Sequence, residues 1–349
     1  MVSKAHNGIN LVFVYDDLQK FQEQTDFQFP HDATSEWESQ KTIDLMLETW
    51  KELGCQVTPL PFNEDFFSHW NDIYKKVDVV HSVLEGWGSL SREAWVSTFC
   101  EMSGVPYIGS HPFAHNISMK KSALKVIAKS LNIPTADFFT IRHEEDFEKI
   151  PKEFFMNEHF IKPDCEGSGV GINHLFSISR SKSKTFKNVK ILLRDFPEGV
   201  LLEKFLPGPE FTSALLGSDL SFLPIAQIEV PDGVYGLEHK SKSYMGEKVT
   251  FPKLDQKTLK IIKNGSLELS KFIHVQDFVR IDWKMDEKNN VKLLEVNTLA
   301  GLSYIYSVLP LMAKEAGISY VSLMSTLLES ALKRTNRREF RYGKSQLRK

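Results

Sequence analysis

The most informative stretch of the chain reads Arg-Ile-Asp-Trp from residue 280 and, after a short polar break, Leu-Leu-Glu-Val-Asn-Thr-Leu-Ala-Gly from residue 293. Two runs of alternating side chains joined by turn-forming residues predict a β-hairpin. A period of two places Arg280 and Asp282 on one face of the first strand, and Glu295 and Asn297 on one face of the second. The hairpin therefore gathers two carboxylates, an amide and a guanidinium.

These four side chains match the chemistry of phosphoryl or acyl transfer. Carboxylate and amide oxygens are the ligands that Mg²⁺ prefers when it also holds nucleotide phosphates. An arginine beside them is a usual partner for charge that develops on a transferred group. A solvated hairpin face is the plainer alternative, but a glycine-rich loop upstream favours the functional interpretation.

The composition excludes several classes of protein. The chain has 349 residues, 42% hydrophobic and 25% charged, so it is long enough for two or three domains with cores of their own. A net charge of -2 gives no whole-protein argument for binding nucleic acid. Three scattered cysteines form neither a disulfide framework nor a zinc motif. No apolar N-terminal stretch resembles a signal peptide or a membrane span, so we expect a cytoplasmic protein.

The order of apolar runs predicts an α/β protein that becomes α+β in its C-terminal half. Strand-like runs at residues 9–15, 56–60 and 77–81 alternate with a helical pattern over residues 39–53, which favours a parallel sheet. The aperiodic segment 16–34 is expected to be a long loop.

Longer patterns follow in the second half of the chain. Helices are predicted over residues 118–131, 177–196, 254–273 and 319–332, with strands between them from residue 200, including residues 223–230. The basic tail from Lys333 to Lys349 is expected to be frayed and polar, with binding to an anionic partner as the alternative.

A glycine-rich turn follows the strand that ends near Lys162. The sequence Lys162-Pro-Asp-Cys-Glu-Gly-Ser-Gly-Val-Gly171 lets backbone N–H groups approach an anion closely, with Lys162 to neutralise it. It matches neither the P-loop nor the dinucleotide-binding motif. Lys120 or Lys121, in the preceding helix, offers a second cation, although an ordinary surface lysine is the alternative for either.

Other carboxylates lie next to predicted binding edges. The segment from Glu203 to Glu210 is a strand that enters a linker fixed by Pro and Gly, which would either read a nucleotide base or serve as a hinge. Glu38 precedes a helix that Ser39 or an acid would cap. Glu85 follows the run at residues 77–81, where an open α/β sheet binds its ligands, or else lies in a plain turn.

Taken in order, these motifs resemble the D-alanine:D-alanine ligases of the ATP-grasp superfamily over residues 9–332. The segments that carry the resemblance are Pro106-Tyr-Ile-Gly-Ser110, Ser118-Met-Lys-Lys121, the loop from Ile161 to Gly171, Glu203-Lys-Phe-Leu-Pro-Gly-Pro-Glu-Phe211, Arg280-Ile-Asp282, Glu295-Val-Asn-Thr298 and Ala313-Lys-Glu-Ala-Gly-Ile-Ser319. The resemblance implies an ATP-grasp fold with an N-terminal βαβ domain (residues 1–115), a central subdomain (116–204), a C-terminal subdomain with the metal site (205–332) and a basic tail (333–349). It also implies a homodimer that acts on amino acids in peptidoglycan synthesis.

The resemblance implies a role for each site residue. Catalysis would involve Arg280, Ser168, Gly301 and Glu38. ATP would be bound by Lys121, Lys162, Glu166, Gly167, Ser168, Gly169, Glu203, Lys204, Phe205, Leu206, Glu210 and Lys240. Two Mg²⁺ ions, replaceable by Mn²⁺, would be held by Asp282, Glu295 and Asn297. The amino-acid substrates would contact Glu38, Glu85, Ser241, Ser307 and Val308.

The departures from the family pattern concern the substrates. The family's Glu-x-Glu-Val-Ser is not intact, so Glu36 or Glu38 stands in for the acid that grips the first amine. The family's His-Gly pair is Glu85-Gly86, and its Lys-Tyr pair in the mobile loop is Lys240-Ser241, which loses a tyrosine. The chain is also one residue longer before Ser307. We therefore expect a less selective first-substrate site.

The sequence as a whole predicts an ATP-dependent carboxylate–amine ligase that works through an acyl phosphate. A pair of D-alanine-like amino acids is the leading candidate for its substrates. The alternatives are a specialised ligase that joins other amino acids or a hydroxy acid, and a nucleotide-binding regulator without turnover. An intact set of Arg280, Asp282, Glu295 and Asn297 argues against the regulator, which would not need a partner for an oxyanion.

Overall fold

The computed structural model describes residues 6–17, 37–63, 65–167, 169–172, 174–229 and 248–342. The predicted long loop therefore lies almost entirely outside the described residues. Three sheets organise the rest, and each lies within one of the three predicted domain ranges. The domain boundaries themselves stay predictions. No helix within these residues is both long and apolar enough to span a membrane.

The first sheet is parallel, as predicted, with the strand order β2-β1-β3-β4. Its strands are β1 (Asn10–Asp16), β2 (Gln56–Phe62), β3 (Val79–Ser82) and β4 (Tyr107–Ile108). Its helices are α1 (Gln40–Glu52), α2 (Phe66–Ile73) and α3 (Trp95–Ser103). Both faces of the sheet are covered, so successive residues of β1 pack into different hydrophobic cores. Leu11 belongs to the core on one face and Val12 to the core on the other. Ser39 caps α1 through a 3.3 Å hydrogen bond from the Thr42 N–H.

The second sheet is antiparallel, with the order β5-β8-β6-β7. Its strands are β5 (Phe138–Ile141), β6 (His159–Pro163), β7 (Ile178–Ser179) and β8 (Val200–Lys204). The helices that precede or cover it are α4 (Pro112–Met119), α5 (Lys121–Ser130), α6 (Glu144–Glu148), α7 (His174–Ser177) and α8 (Lys182–Asp195).

Two helix predictions in this region are wrong in their extent. The single helix expected over residues 118–131 is split, because Lys120 has a non-helical backbone with φ -94° and ψ 94° and separates α4 from α5. The helix expected from residue 177 starts instead at Lys182, where Ser181 accepts a hydrogen bond from the Lys184 N–H. Residues 178–179 pair with β6 because tertiary pairing overrides helical propensity.

Within the described residues the third sheet has six strands, with the order β12-β11-β9-β13-β14 and β10 beside β9. The strands are β9 (Glu210–Leu216), β10 (Ser221–Phe222), β11 (Ala226–Glu229), β12 (Lys248–Thr250), β13 (Phe278–Met285) and β14 (Val291–Asn297). The helices are α9 (Gln256–Phe272), α10 (Val308–Glu315) and α11 (Tyr320–Tyr342). All pairings are antiparallel, which agrees with the α+β character expected for the C-terminal half. The strand expected from residue 223 begins only at Ala226.

The C-terminal helix corrects the prediction for the tail. α11 continues to Tyr342, so the expectation that the chain frays from Lys333 is wrong up to residue 342. Arg334 explains part of this difference, because its guanidinium pairs with the buried Asp277 and donates to the Tyr107 carbonyl. The largest core joins α1, α10 and α11 to one face of the first sheet and to residues of the third sheet.

Candidate active site

The predicted hairpin is confirmed. β13 and β14 pair antiparallel, with Arg280 opposite Asn297 and Asp282 opposite Glu295. The register shifts between Asp282 and the next residue, and a bulge of this kind re-aims side chains near functional sites. The side chains of the intervening residues Ile281 and Val296 enter a hydrophobic core on the opposite face. Core packing on one face therefore fixes the position of the polar residues on the other.

Asp282 is held in one orientation by three donors. Its Oδ2 accepts hydrogen bonds of 2.9 Å from Arg280 Nη2 and 2.9 Å from Asn297 Nδ2. Its Oδ1 accepts a 2.8 Å bond from the Thr212 hydroxyl. Sequence analysis missed Thr212, although its position two residues after Glu210 on β9 places both side chains on the same face as a period of two requires.

Lysines form the wall opposite the hairpin. Lys121, the first residue of α5, has its Nζ 3.7 Å from Glu295 Oε2 and donates to the Glu166 carbonyl. Lys162 projects from β6 with its Nζ 2.7 Å from Glu203 Oε1. The two predicted phosphate-binding cations thus lie across one space from the predicted metal ligands, the arrangement needed to neutralise a polyphosphate from two sides.

A buried charge cluster supports Lys162. Glu203 Oε2 lies 2.8 Å from the Nζ of Lys125, a residue that is 0% exposed. Burial opposes the charge on Glu203, but the ammonium groups of Lys125 and Lys162 outweigh it and lower the pKa of Glu203 to about 2. Glu203 is therefore a fixed anion. Sequence analysis missed Lys125, although it lies one helical turn after Lys121 on the same face of α5.

A second acid, which is largely shielded from solvent, belongs to the same cavity wall. Glu210 forms a 3.0 Å ion pair with Lys284, which sequence analysis also missed and which lies two residues after Asp282 on β13. Burial raises the pKa of Glu210, although the Lys284 ammonium acts in the opposite direction. The neighbouring Phe205 stacks on Phe160 with ring centroids 6.4 Å apart. This part of the wall combines an apolar surface with a carboxylate, as a nucleoside requires.

An ion pair anchors the start of the glycine-rich turn. Arg92, which is 2% exposed, places its Nη2 2.9 Å from Glu166 Oε2. No motif in the sequence pointed to Arg92. At Gly171, which has φ +70°, a Cβ would lie 2.7 Å from the Pro163 side chain, so only glycine fits there.

One open cavity is lined by most of the predicted site residues that the structure describes. Its wall includes Lys121, Lys162, Glu166, Gly167, Gly169, Glu203, Lys204, Phe205, Leu206, Glu210, Arg280, Asp282, Glu295 and Val308. Arg280 and Glu210 belong to the same wall although they come from different strands. Charged side chains line it together with apolar ones such as Phe160 and Leu294, a combination that suits a charged small ligand.

A second group of predicted residues lies beside the loop that follows β14. The Tyr306 hydroxyl donates to Glu38 Oε2. A Cβ on Gly301 would lie 2.6 Å from Ser307 Oγ and 3.6 Å from Glu38 Oε1, so these three residues are close neighbours. Glu85 is placed separately, because its N–H donates a 2.8 Å hydrogen bond to Asp16 at the end of β1.

Some predicted residues cannot be placed. Ser168, Lys240 and Ser241 lie outside the described residues, as does Glu36. Within the part of the chain that the structure describes, no three His, Cys, Asp or Glu side chains cluster as a metal site would require. The acids Asp282 and Glu295 still fit Mg²⁺, because this ion binds through one or two carboxylates and completes its shell with phosphate oxygens and water.

Comparison with known proteins identifies the family. Residues 127–329 match the family model described as the D-ala D-ala ligase C-terminus. The D-alanine–D-alanine ligase of Aquifex aeolicus (strain VF5) is 31% identical over 290 residues, which cover 83% of this chain and 94% of that protein. The chain therefore belongs to the D-alanine–D-alanine ligase family.

Solved structures agree on the fold. The D-alanine–D-alanine ligase from Bacillus anthracis complexed with ATP aligns with a TM-score of 0.72 at 20% identity and covers 95% of this chain and 99% of its own. The D-alanyl-alanine synthetase A of Vibrio cholerae O1 biovar eltor aligns with a TM-score of 0.74 at 16% identity, covering 94% and 100%. The ATP-grasp fold expected from the sequence is confirmed.

Proposed function

We propose that the chain joins two molecules of D-alanine, with ATP as the phosphoryl donor and Mg²⁺ as the metal. One observation carries the proposal. The hairpin residues Arg280, Asp282 and Glu295 share a single cavity wall with Lys121 and Lys162, so one polyphosphate can meet metal ligands, lysines and an arginine at once.

ATP binds along this cavity in the proposed arrangement. Lys121 and Lys162 neutralise its phosphates, and Glu166, Gly167, Ser168 and Gly169 cover them. The base lies against Phe205 and Leu206, with Glu203 and Lys204 beside it, and the ribose hydroxyls donate to Glu210. Lys240 would also bind ATP.

Asp282, Glu295 and Asn297 would hold two metal ions, which supply charge neutralisation at the phosphate oxygens. A bound ion competes with the hydrogen bonds that Arg280 and Asn297 make to Asp282. The same hydrogen bonds hold the Asp282 carboxylate in place at the cavity wall before the nucleotide arrives.

The reaction proceeds in two steps. A carboxylate oxygen of the first D-alanine attacks the γ-phosphorus of ATP, the bond to the bridging oxygen breaks, and ADP leaves. The amine of the second D-alanine, after losing a proton, attacks the carbonyl carbon of the acyl phosphate. The resulting oxyanion is met by the Arg280 guanidinium and the Gly301 N–H. Its collapse expels phosphate and leaves an amide. The protein contributes position and electrostatics.

The residues beside the loop after β14 bind the amino acids. Glu38 takes the ammonium group of the first D-alanine, and Glu85, beside the end of β1, would contact an amino-acid substrate. Ser307 and Val308, at the N-terminus of α10, take the carboxylate of the second, because the positive end of the helix dipole attracts anions.

The test uses the purified chain with ATP, MgCl₂ and D-alanine. The proposal predicts ADP, phosphate and a dipeptide in equal amounts, with no ADP release when D-alanine is omitted or replaced by L-alanine. ADP release that no amino acid stimulates would contradict the proposal. We also propose a homodimer in the cytoplasm, and light scattering of the purified protein tests its mass.

A further inference from the structure

Tyr306 links two distant parts of the chain. It lies in the segment between β14 and α10, yet its hydroxyl reaches Glu38, which precedes α1. The Thr42 hydroxyl of α1 donates to the same phenol oxygen at 3.3 Å and is 3.0 Å from the Ser303 hydroxyl. Two residues of this segment are therefore fastened to the start of α1.

The phenol is held in its donating form. Burial and the negative charge of Glu38 both raise the pKa of Tyr306, so the hydroxyl keeps its proton at neutral pH. A proton on the phenol and a carboxylate on Glu38 form a charge-assisted hydrogen bond, which is among the stronger kinds in proteins. This bond fixes Oε2 of Glu38, while Oε1 faces Gly301.

The ring itself stays accessible. Tyr306 is 40% exposed although its hydroxyl is engaged, and the hydrogen bond from that hydroxyl places the ring next to Glu38. An aromatic wall beside an ammonium-binding carboxylate limits the side chain that a bound amino acid can carry.

We infer that Tyr306 positions Glu38 for the amine of the first amino acid and restricts that amino acid to a small side chain. The inference rests on the proposed function, in which Glu38 binds the first amine. Tyr306 acts through Glu38 and does not touch the reacting atoms. This inference opposes the less selective first-substrate site that the sequence led us to expect.

Kinetics of three variants test this role. In Tyr306→Phe the KM for the first D-alanine should rise about tenfold, the effect of losing a hydrogen bond to a charged group, while the KM for ATP stays unchanged. Tyr306→Ala should in addition raise the efficiency with D-2-aminobutyrate relative to D-alanine by about tenfold, the scale of one methylene in a pocket. Tyr304→Phe is the matched control, because Tyr304 lies in the same segment and packs on Tyr320. It should behave as wild type.

Each outcome decides the inference. A Tyr306→Phe variant that matches wild type, or one whose KM for ATP rises by the same factor, would overturn it. If wild type shows no D-alanine turnover, the proposed function fails separately, and calorimetry with D-alanine and a non-hydrolysable ATP analogue then decides. Weaker D-alanine binding by Tyr306→Phe than by wild type supports the inference. Equal binding, or none to wild type, overturns it.

Discussion

Single residues in this site work through their charged neighbours. Glu203 is ionised because Lys125 and Lys162 flank it, and Asp282 is oriented because three donors point at it. The two lysines, buried with Glu203, would each be costly as isolated charges. Substitution of one member therefore changes the protonation or orientation of the others, and the predictions at this scale use that dependence.

Glu295 gives the most direct residue-level prediction. Glu295→Gln keeps the shape of the side chain but removes a charge that we propose as a metal ligand, so turnover should fall at least about a hundredfold, as it does when a key electrostatic group is lost. ADP release under saturating substrates measures the effect, and thermal unfolding checks that the fold is intact. Near-normal ADP release would show that the metal ligands are misassigned.

Glu210 predicts a pH dependence of ATP binding. Ribose hydroxyls donate to the ionised carboxylate, and burial raises the pKa of Glu210, so the KM for ATP should increase as the pH falls through this raised value. Lys284→Met removes the cation that opposes the rise, and the increase in KM should then begin at a higher pH. Lys288→Met, on the exposed turn of the hairpin, is the control. Superimposable profiles for wild type and Lys284→Met would exclude this role for the pair.

At the scale of elements, sequence patterns predicted those helices and strands whose formation depends on local interactions. The hairpin and the parallel first sheet follow from side-chain alternation and strand–helix order, and both are present. The break at Lys120 and the helical residues past Lys333 were not predictable, because packing against distant segments sets them.

The same distinction applies to the site. Motif residues were found, and the cavity gathers them. Sequence periodicity could have identified Lys125, Thr212 and Lys284, since each follows a motif residue at helical or strand spacing. Periodicity could not have identified Arg92 and Tyr306, because each contacts its partner from a remote part of the sequence.

The segment after β14 carries the element-level prediction. In Gly301→Ala the new Cβ would lie 2.6 Å from Ser307 Oγ, so the Ser307 side chain or the segment that carries it must shift. Since a misplacement of about 1 Å costs on the order of a hundredfold in rate, the ratio kcat/KM should fall by about that factor. Gly317→Ala is the control, because its φ of +78° strains the backbone but nothing lies within 4 Å. That variant should lose stability and keep its kcat/KM. Unchanged kinetics in Gly301→Ala would remove Gly301 from the site.

At the scale of the whole molecule, Asp277 joins the first sheet, the third sheet and the last helix. Its side chain accepts 2.8 Å from the Gly109 N–H and 2.6 Å from the Ser330 hydroxyl, and it pairs with Arg334. It is 2% exposed, so its charge depends on these partners. The positions of the N-terminal and C-terminal parts around the cavity are thus linked through one carboxylate.

This junction predicts a stability difference between two neighbouring residues. Arg334→Gln leaves Asp277 buried without its cation and should lower the free energy of unfolding by about 3 kcal/mol, since breaking a buried pair costs about 3 to 5 kcal/mol. Lys333 lies at the surface with its Nζ 3.2 Å from the Ser218 hydroxyl. The substitution Lys333→Gln should therefore change the free energy of unfolding by less than about 0.5 kcal/mol. Denaturant unfolding measures both. Equal effects would mean that the junction does not stabilise the molecule.

The central claim is that this chain activates a carboxylate as an acyl phosphate in the cavity between the hairpin and the lysines. Transfer of ¹⁸O from the substrate to phosphate tests this claim most directly. D-alanine with both carboxylate oxygens labelled is turned over with ATP and MgCl₂, and the released phosphate is analysed by mass spectrometry. The account predicts one ¹⁸O atom in each phosphate formed, together with the dipeptide. Dipeptide and ADP formed with unlabelled phosphate would contradict it.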